Sequence, residues 1–172
     1  MRHKSLLFLL FAFLLVRCTA CTFVQDSYSN KVPLIDGAGL AQFIQQHSGK
    51  VILVDFWATW CPPCLKLFPH TVELHQRLAD RGLVVVSISL DDPSDDSAVQ
   101  RFLIEKGADF PSFISRFGAS ATSAEVFNIE GGGIPYLRLY NRQGEPLRSF
   151  GGDKPFDPLE IDQAVEEALN SG

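Results

Sequence analysis

Positive charge is scarce in this sequence. Fifteen Lys and Arg stand against 20 Asp and Glu, a net charge of −5, which argues against a nucleic-acid binder that works by displacing counterions from phosphate. Cysteine is sparse too: four in 172 residues are too few for a disulfide-stapled scaffold of this length. No apolar run reaches the ~20 residues that a bilayer-spanning helix needs, and no internal repeat or low-complexity segment breaks the chain. What is present suits a globular domain. Hydrophobic residues make up 46% and aromatics 11%, enough to bury a core and to set aside disorder, collagen-like repeats and coiled coil. The length fits one domain.

The N-terminus reads as an address. Arg2, His3 and Lys4 precede an apolar run from Ser5 to Val16, about twelve residues, the length of a secretory h-region. A buried core helix is the bland alternative, but the run is apolar on every face and lies directly behind positive charge. Residues 1–20 are therefore expected to be a signal peptide, and the protein to be exported to the periplasm or the extracytoplasmic side of a membrane. Cys18-Thr19-Ala20-Cys21 resembles a bacterial lipoprotein box, which implies lipidation at Cys21 and an N-terminal membrane anchor. Cys18, where such a box usually has an aliphatic residue, and Arg17, which interrupts the apolar run, depart from that pattern. Loss of residues 1–20 removes Arg2, Lys4 and Arg17 and leaves 12 basic against 20 acidic residues, a net charge of −8. Such a surface repels anionic headgroups, so membrane attachment rests on the anchor alone. Residues 21–37 read as a polar tether and 38–172 as the folded domain.

Within that domain, Leu40, Phe43 and Ile44 have helical spacing between Gly39 and His47. Val51 to Phe56 and Leu83 to Leu90 are continuous apolar, β-branched runs, the pattern of strands buried on both faces. Residues 62–80 are helical in pattern, and Ser94 reads as the N-cap of a helix ending near Gly107. A short strand near Phe113 and a short helix near Ala121–Phe127 are expected in the least legible stretch, 108–133. Ile134 to Tyr140, a turn at Asn141–Gly144 and Glu145 to Phe150 form a hairpin. Asp157, Pro158 and Glu160 supply the cap, N1 and N3 of a last helix. This order predicts an α/β sandwich with a central mixed sheet, parallel strands first and an antiparallel pair last.

The chemistry sits at Trp60-Cys61-Pro62-Pro63-Cys64, directly after a buried strand and at the opening of a helix. Two cysteines three positions apart at a helix start can bring their sulfurs within bonding range, and the helix N-terminus favours a thiolate there. Cys61, at the mouth of the turn, is the candidate nucleophile, and Cys64, one turn in, the resolving thiol. Pro62 and Pro63 remove two N–H donors from the thiolate's surroundings, so its stabilisation is expected to be moderate. A zinc half-site is the first rival, but no second CxxC lies outside the signal region, and His70 and His75 are too far along the helix axis to close a tetrahedron. A static structural disulfide is the second. Asp55, an acid inside an apolar strand, is costly unless used or paired, or else reaches water at the strand end.

These residues resemble the thioredoxin superfamily. Val54 to Cys64 is similar to the thioredoxin active-site stretch almost residue for residue. Pro69 matches the family's kink proline, and Gly133-Ile134-Pro135 ahead of a strand matches its cis-proline loop. The resemblance implies a thioredoxin-like fold with an insertion before the cis-proline strand. It implies that Pro135 is cis and faces the sulfur pair, that the Ile134 backbone receives an extended substrate segment, and that Trp60, Pro62 and Pro63 help to dock it. It also implies a proton relay from Asp55 to Cys64, with a carboxyl pKa raised by burial. Thioredoxin has a lysine near this acid on the next strand, and here Ser87 stands in that place.

The signal, the CPPC motif and the insertion look like the TlpA/ResA/CcmG-type group of membrane-tethered proteins that reduce partner disulfides outside the cytoplasm. Tryparedoxin-like and nucleoredoxin-like proteins share the motif, but they are cytosolic and lack an export signal. The implied partners are disulfide-containing substrate proteins, apocytochrome c among them, and a membrane thiol-transfer electron donor. No metal, nucleotide or organic cofactor is expected, because the Cys61–Cys64 pair is itself the redox centre. A redox-inert binding module, an oxidant of folding proteins and a copper handler of the Sco type are the alternatives. The last usually spaces its cysteines further apart and adds a histidine.

Overall fold

The computed structural model describes residues 31–171. The expected signal segment 1–20, the lipidation site Cys21 and the first part of the tether lie outside those residues. The described chain runs β1 (Leu34–Ile35), α1 (Gly37–Gln46), β2 (Val51–Trp57), α2 (Pro62–Leu78), β3 (Leu83–Ser89), α3 (Asp96–Lys106), β4 (Ser112–Ser115), α4 (Ala121–Val126), β5 (Tyr136–Tyr140), β6 (Pro146–Gly151) and α5 (Pro158–Asn170).

Among the described residues the strands form one sheet in the order β1-β4-β3-β2-β5-β6. Pairing is parallel from β1 through β2 and antiparallel for β2/β5 and β5/β6. The apolar runs occupy the centre as their composition demands, and every residue of β2 is buried. Side chains alternate across a strand, so Val51, Leu53 and Trp57 pack with α2, α3 and α5 on one face. Ile52, Val54 and Phe56 pack with α1 and the segment after α4 on the other. The same alternation turns Asp55 toward α2.

The sheet begins earlier than a tether over 21–37 allows. Leu34 and Ile35 pair with Ile114 and Ser115 as an edge strand, too short to show a period in the sequence. Asp36 then caps α1 by accepting the Gly39 N–H at 2.9 Å, so the helix opens at Gly37 rather than Gly39. Ser94 is not the cap of α3. Asp92 accepts both the Ser94 N–H and the Ser94 hydroxyl, at 2.8 and 2.6 Å, and caps a short 3-10 turn, Pro93–Asp95, that leads into α3. The Asp92 carboxylate, two residues back, takes up both Ser94 donors, so the Ser94 hydroxyl is not left to cap the helix. Asp157 and Glu160 form the expected capping box of α5.

The insertion between α3 and β5 holds β4 and α4. Arg138, buried in β5, pins its far end by donating to the backbone carbonyls of Phe127, at 3.1 Å, and Asn128. Ser123 donates to the Gly118 carbonyl at 2.6 Å and pairs with Ser115 at 2.7 Å, fixing its near end.

Candidate active site

The site lies where β2 leaves the sheet. Ala58 to Cys61 make a turn closed by the Cys61 N–H donating to the Ala58 carbonyl at 3.1 Å. Cys61 is the N-cap of α2, and its Sγ accepts the Cys64 N–H at 3.3 Å. Pro62 and Pro63 fill the first turn, where an N–H has no helical partner to lose. Cys61 and Cys64 are joined as a disulfide with Cα atoms 5.3 Å apart. Cys64 is the deeper of the two, at 2% exposure against 5%.

Pro135 follows a cis peptide bond, and the Ile134 carbonyl oxygen lies 3.8 Å from Cys61 Sγ. The loop is held from below by glycine. Gly151 has φ +86°, and a Cβ there would stand 2.1 Å from the Pro135 carbonyl oxygen. That oxygen instead accepts the Gly152 N–H at 3.0 Å.

The expected docking residues divide between two grooves, one on each side of the disulfide. Trp60, 56% exposed, and Ile134 border a cavity of about 450 Å³ whose far wall is Ala121, Ala124 and Gly132 of the insertion. Pro63 and Pro135 border a second, about 500 Å³, with Leu67 and Phe156. Pro62 is exposed beside the disulfide. Trp57 is core: it packs on Phe68 and Phe102 with centroids 4.8 and 4.6 Å away.

Asp55 is 2% exposed. Burial pushes its carboxyl pKa up from 3.8 to about 7, and the Thr71 hydroxyl, donating to Oδ2 at 2.7 Å, pulls the other way. Ser87 is opposite Asp55 in the β2/β3 pairing, but its hydroxyl donates to Ser112 at 2.9 Å. The partner of the acid is therefore on the helix, not on the neighbouring strand.

Sequence reasoning missed Thr71. Its signal was present: it lies seven residues after Cys64, two turns along the same sheet-facing side of α2, where a hydroxyl among apolar residues needs a partner. His70 and His75 each face a carboxylate on another element, Asp162 at 2.9 Å and Asp109 at 3.4 Å, and not the sulfurs. Among the described residues no helix is long and apolar enough to cross a membrane.

Comparison with known proteins gives the same picture. The family model described as Redoxin matches residues 25–131. The chain is 30% identical over 126 residues to the thiol-disulfide oxidoreductase ResA of Halalkalibacterium halodurans, covering 73% of this chain and 64% of that protein. The match thus spans less than two thirds of that relative's length. The chain is 26% identical to the ResA of Bacillus subtilis, over 88% of each chain. The crystal structure of a thiol:disulfide interchange protein of the thioredoxin family from Chlorobium tepidum superposes with a TM-score of 0.59 at 26% identity, covering 81% of this chain and 97% of that one.

Proposed function

This chain belongs to the redoxin family, with a thioredoxin-like fold of the TlpA/ResA/CcmG type, and from that premise we propose that it is a thiol–disulfide oxidoreductase that reduces the disulfides of partner proteins. The observation that carries the reading is the placement of the sulfur pair. Cys61 Sγ stands at the N-terminus of α2, 3.8 Å from the Ile134 carbonyl, with an open groove on either side.

In the reduced protein the Cys61 thiolate attacks one sulfur of the partner's disulfide. A mixed disulfide forms and one partner thiolate leaves. Asp55, ionised, takes the proton of Cys64, whose sulfur then attacks Cys61 Sγ. The second partner thiol leaves, the Cys61–Cys64 bond closes, and two electrons have passed to the partner. The Ile134 and Pro135 backbone and the two grooves align an extended partner segment so that the three sulfurs lie in line. The electrons are carried by the sulfur pair alone, so a thiol-transfer donor must reduce it again, and for an exported protein that donor is a membrane one.

The N-terminal pattern supports action outside the cytoplasm, with Cys21 as the anchor. Apocytochrome c, whose paired cysteines oxidise there, is a substrate of the right chemistry. The test is a trap. In the full chain, Cys64→Ser is expected to accumulate a partner mixed disulfide through Cys61, and Cys61→Ser to abolish both the adduct and turnover. A partner adduct that survives the loss of Cys61 would sink the assignment.

A further inference from the structure

Asp91 is fully buried just beyond β3, and the exchange steps above give it no part. Its carboxylate gathers three donors. Oδ1 accepts the Thr59 hydroxyl at 2.5 Å, and Oδ2 accepts the Thr59 N–H at 2.9 Å and the Ser89 hydroxyl at 2.5 Å. Ser89 Oγ in turn accepts the Asp91 N–H at 2.9 Å, which locks the carboxylate to its own strand end.

Thr59 is no ordinary partner. It is the second residue of the Ala58–Cys61 turn, and both of its donors are spent on Asp91. The turn closes with Cys61 as the N-cap of α2, so its geometry decides whether Cys61 Sγ accepts the Cys64 N–H. On the other side of Asp91, Leu90 donates its N–H to the Trp57 carbonyl at 2.7 Å and lines the groove beside Trp60. The chain just beyond β3 thus holds the end of β2 at Trp57 and the active-site turn at Thr59.

We propose that Asp91 is a positioning residue for the exchange reaction: through Thr59 it holds the turn that seats Cys61 Sγ at the N-terminus of α2. The inference rests on the redox reading above and adds to it. A thiolate at a helix N-terminus is stabilised by the N–H groups it faces. Freeing the turn lets the sulfur leave that seat, and the thiol becomes harder to ionise.

Asp91 also carries a charge that Thr59 does not, and this separates positioning from a field effect. Loss of a nearby negative charge alone makes a thiol easier to ionise. Loss of the tether does the reverse. Thr59→Val keeps the carboxylate, removes one hydroxyl donor and sits at a half-buried position, so it remains informative if Asp91→Asn does not fold.

The experiment measures Cys61 thiolate formation in the reduced full chain by absorbance and alkylation rate against pH, which needs no partner. Thr59→Val is expected to raise the Cys61 pKa by about one unit and to slow alkylation at pH 7 about tenfold, and Asp91→Asn to raise it by less, because the lost charge partly offsets the lost tether. The double variant should match Asp91→Asn and not add a further factor of about ten, because one tether is broken twice. Thr59→Ser, retaining the hydroxyl, should restore the original titration. An unchanged titration in folded Thr59→Val, or a lowered Cys61 pKa in Asp91→Asn, overturns positioning. A wild-type chain that turns over no partner disulfide would remove the redox reading, while the titrations would still decide the role of Asp91.

Discussion

Thr71 in the middle of α2 donates its hydroxyl to Oδ2 of Asp55 at 2.7 Å, and this joins the one acid of β2 to the helix that carries both cysteines. A carboxyl group pushed up to about 7 is half ionised near neutrality, the state that the proposed relay to Cys64 requires. Asp55→Asn has no such group. It is expected to slow reduction of a partner disulfide about a hundredfold at pH 7.5, the scale of general-base catalysis. It should also erase the inflection near pH 7 from the pH–rate profile. A variant with the wild-type profile would dismiss the relay.

The same group makes stability depend on pH, with a definite sign. Its folded pKa of about 7 lies above the ordinary 3.8, so between those values the folded state holds more protons than the unfolded one. Stability from this residue is therefore full at low pH and is lost as pH rises toward 7. Above 7 the ionised carboxylate costs the fold on the order of 4 kcal/mol relative to a neutral side chain. Asp55→Asn should be more stable than wild type at pH 8 and nearly equal to it at pH 4, as denaturant unfolding at the two pH values will show.

Thr71→Val removes the bond that favours the charged carboxylate while keeping the side chain's shape. The Asp55 pKa is expected to climb further, and the inflection of the pH–rate profile to move to higher pH with it. Carboxyl titration by infrared or carbon NMR reads the shift directly. Movement to lower pH would mean that another donor governs the acid.

Much of this was legible from the residues alone. The buried runs at 51–56 and 83–90, the CPPC turn and the capping box at Asp157 each have a pattern of period or spacing. Trp60 and Cys61 emerge where that spacing places them. What escaped were features that depend on contacts across the chain. Leu34–Ile35 becomes a strand only because β4 offers an edge. Asp91 matters only because β3 ends beside the Ala58–Cys61 turn, 32 residues from Thr59 in sequence. Ser94 has the composition of a cap, but Asp92 takes up its N–H and hydroxyl in a 3-10 turn, and α3 opens from the end of that turn at Asp95.

Gly151 carries a prediction of its own. A Cβ at this position would meet the Pro135 carbonyl oxygen at 2.1 Å, on a backbone with φ +86°. Gly151→Ala should cost about 2 kcal/mol of stability. It should also lower kcat/KM on protein disulfides at least tenfold, because the Pro135 loop is displaced from Cys61. Unaltered kinetics would show that the loop does not set substrate alignment.

Trp60 should behave in the opposite way. With 56% of its surface exposed it adds little to the fold, so Trp60→Ala is expected to change stability by less than about 0.5 kcal/mol. Its loss should raise KM for protein disulfides several-fold and leave a small-molecule disulfide unaffected. Equal effects on both substrates would place Trp60 in the chemistry and not in docking.

The central claim is that Cys61 and Cys64 cycle as a reducing pair, and its most direct measurement is their reduction potential. The full chain is equilibrated against dithiol buffers, and the fraction oxidised is read by thiol alkylation. The helix N-terminus stabilises the Cys61 thiolate, while Pro62 and Pro63 withhold two donors from it, so the pair should sit near the ~−270 mV of a reductant. A potential near the ~−120 mV of a strong oxidant, or a disulfide that never equilibrates with the buffer, would contradict the account.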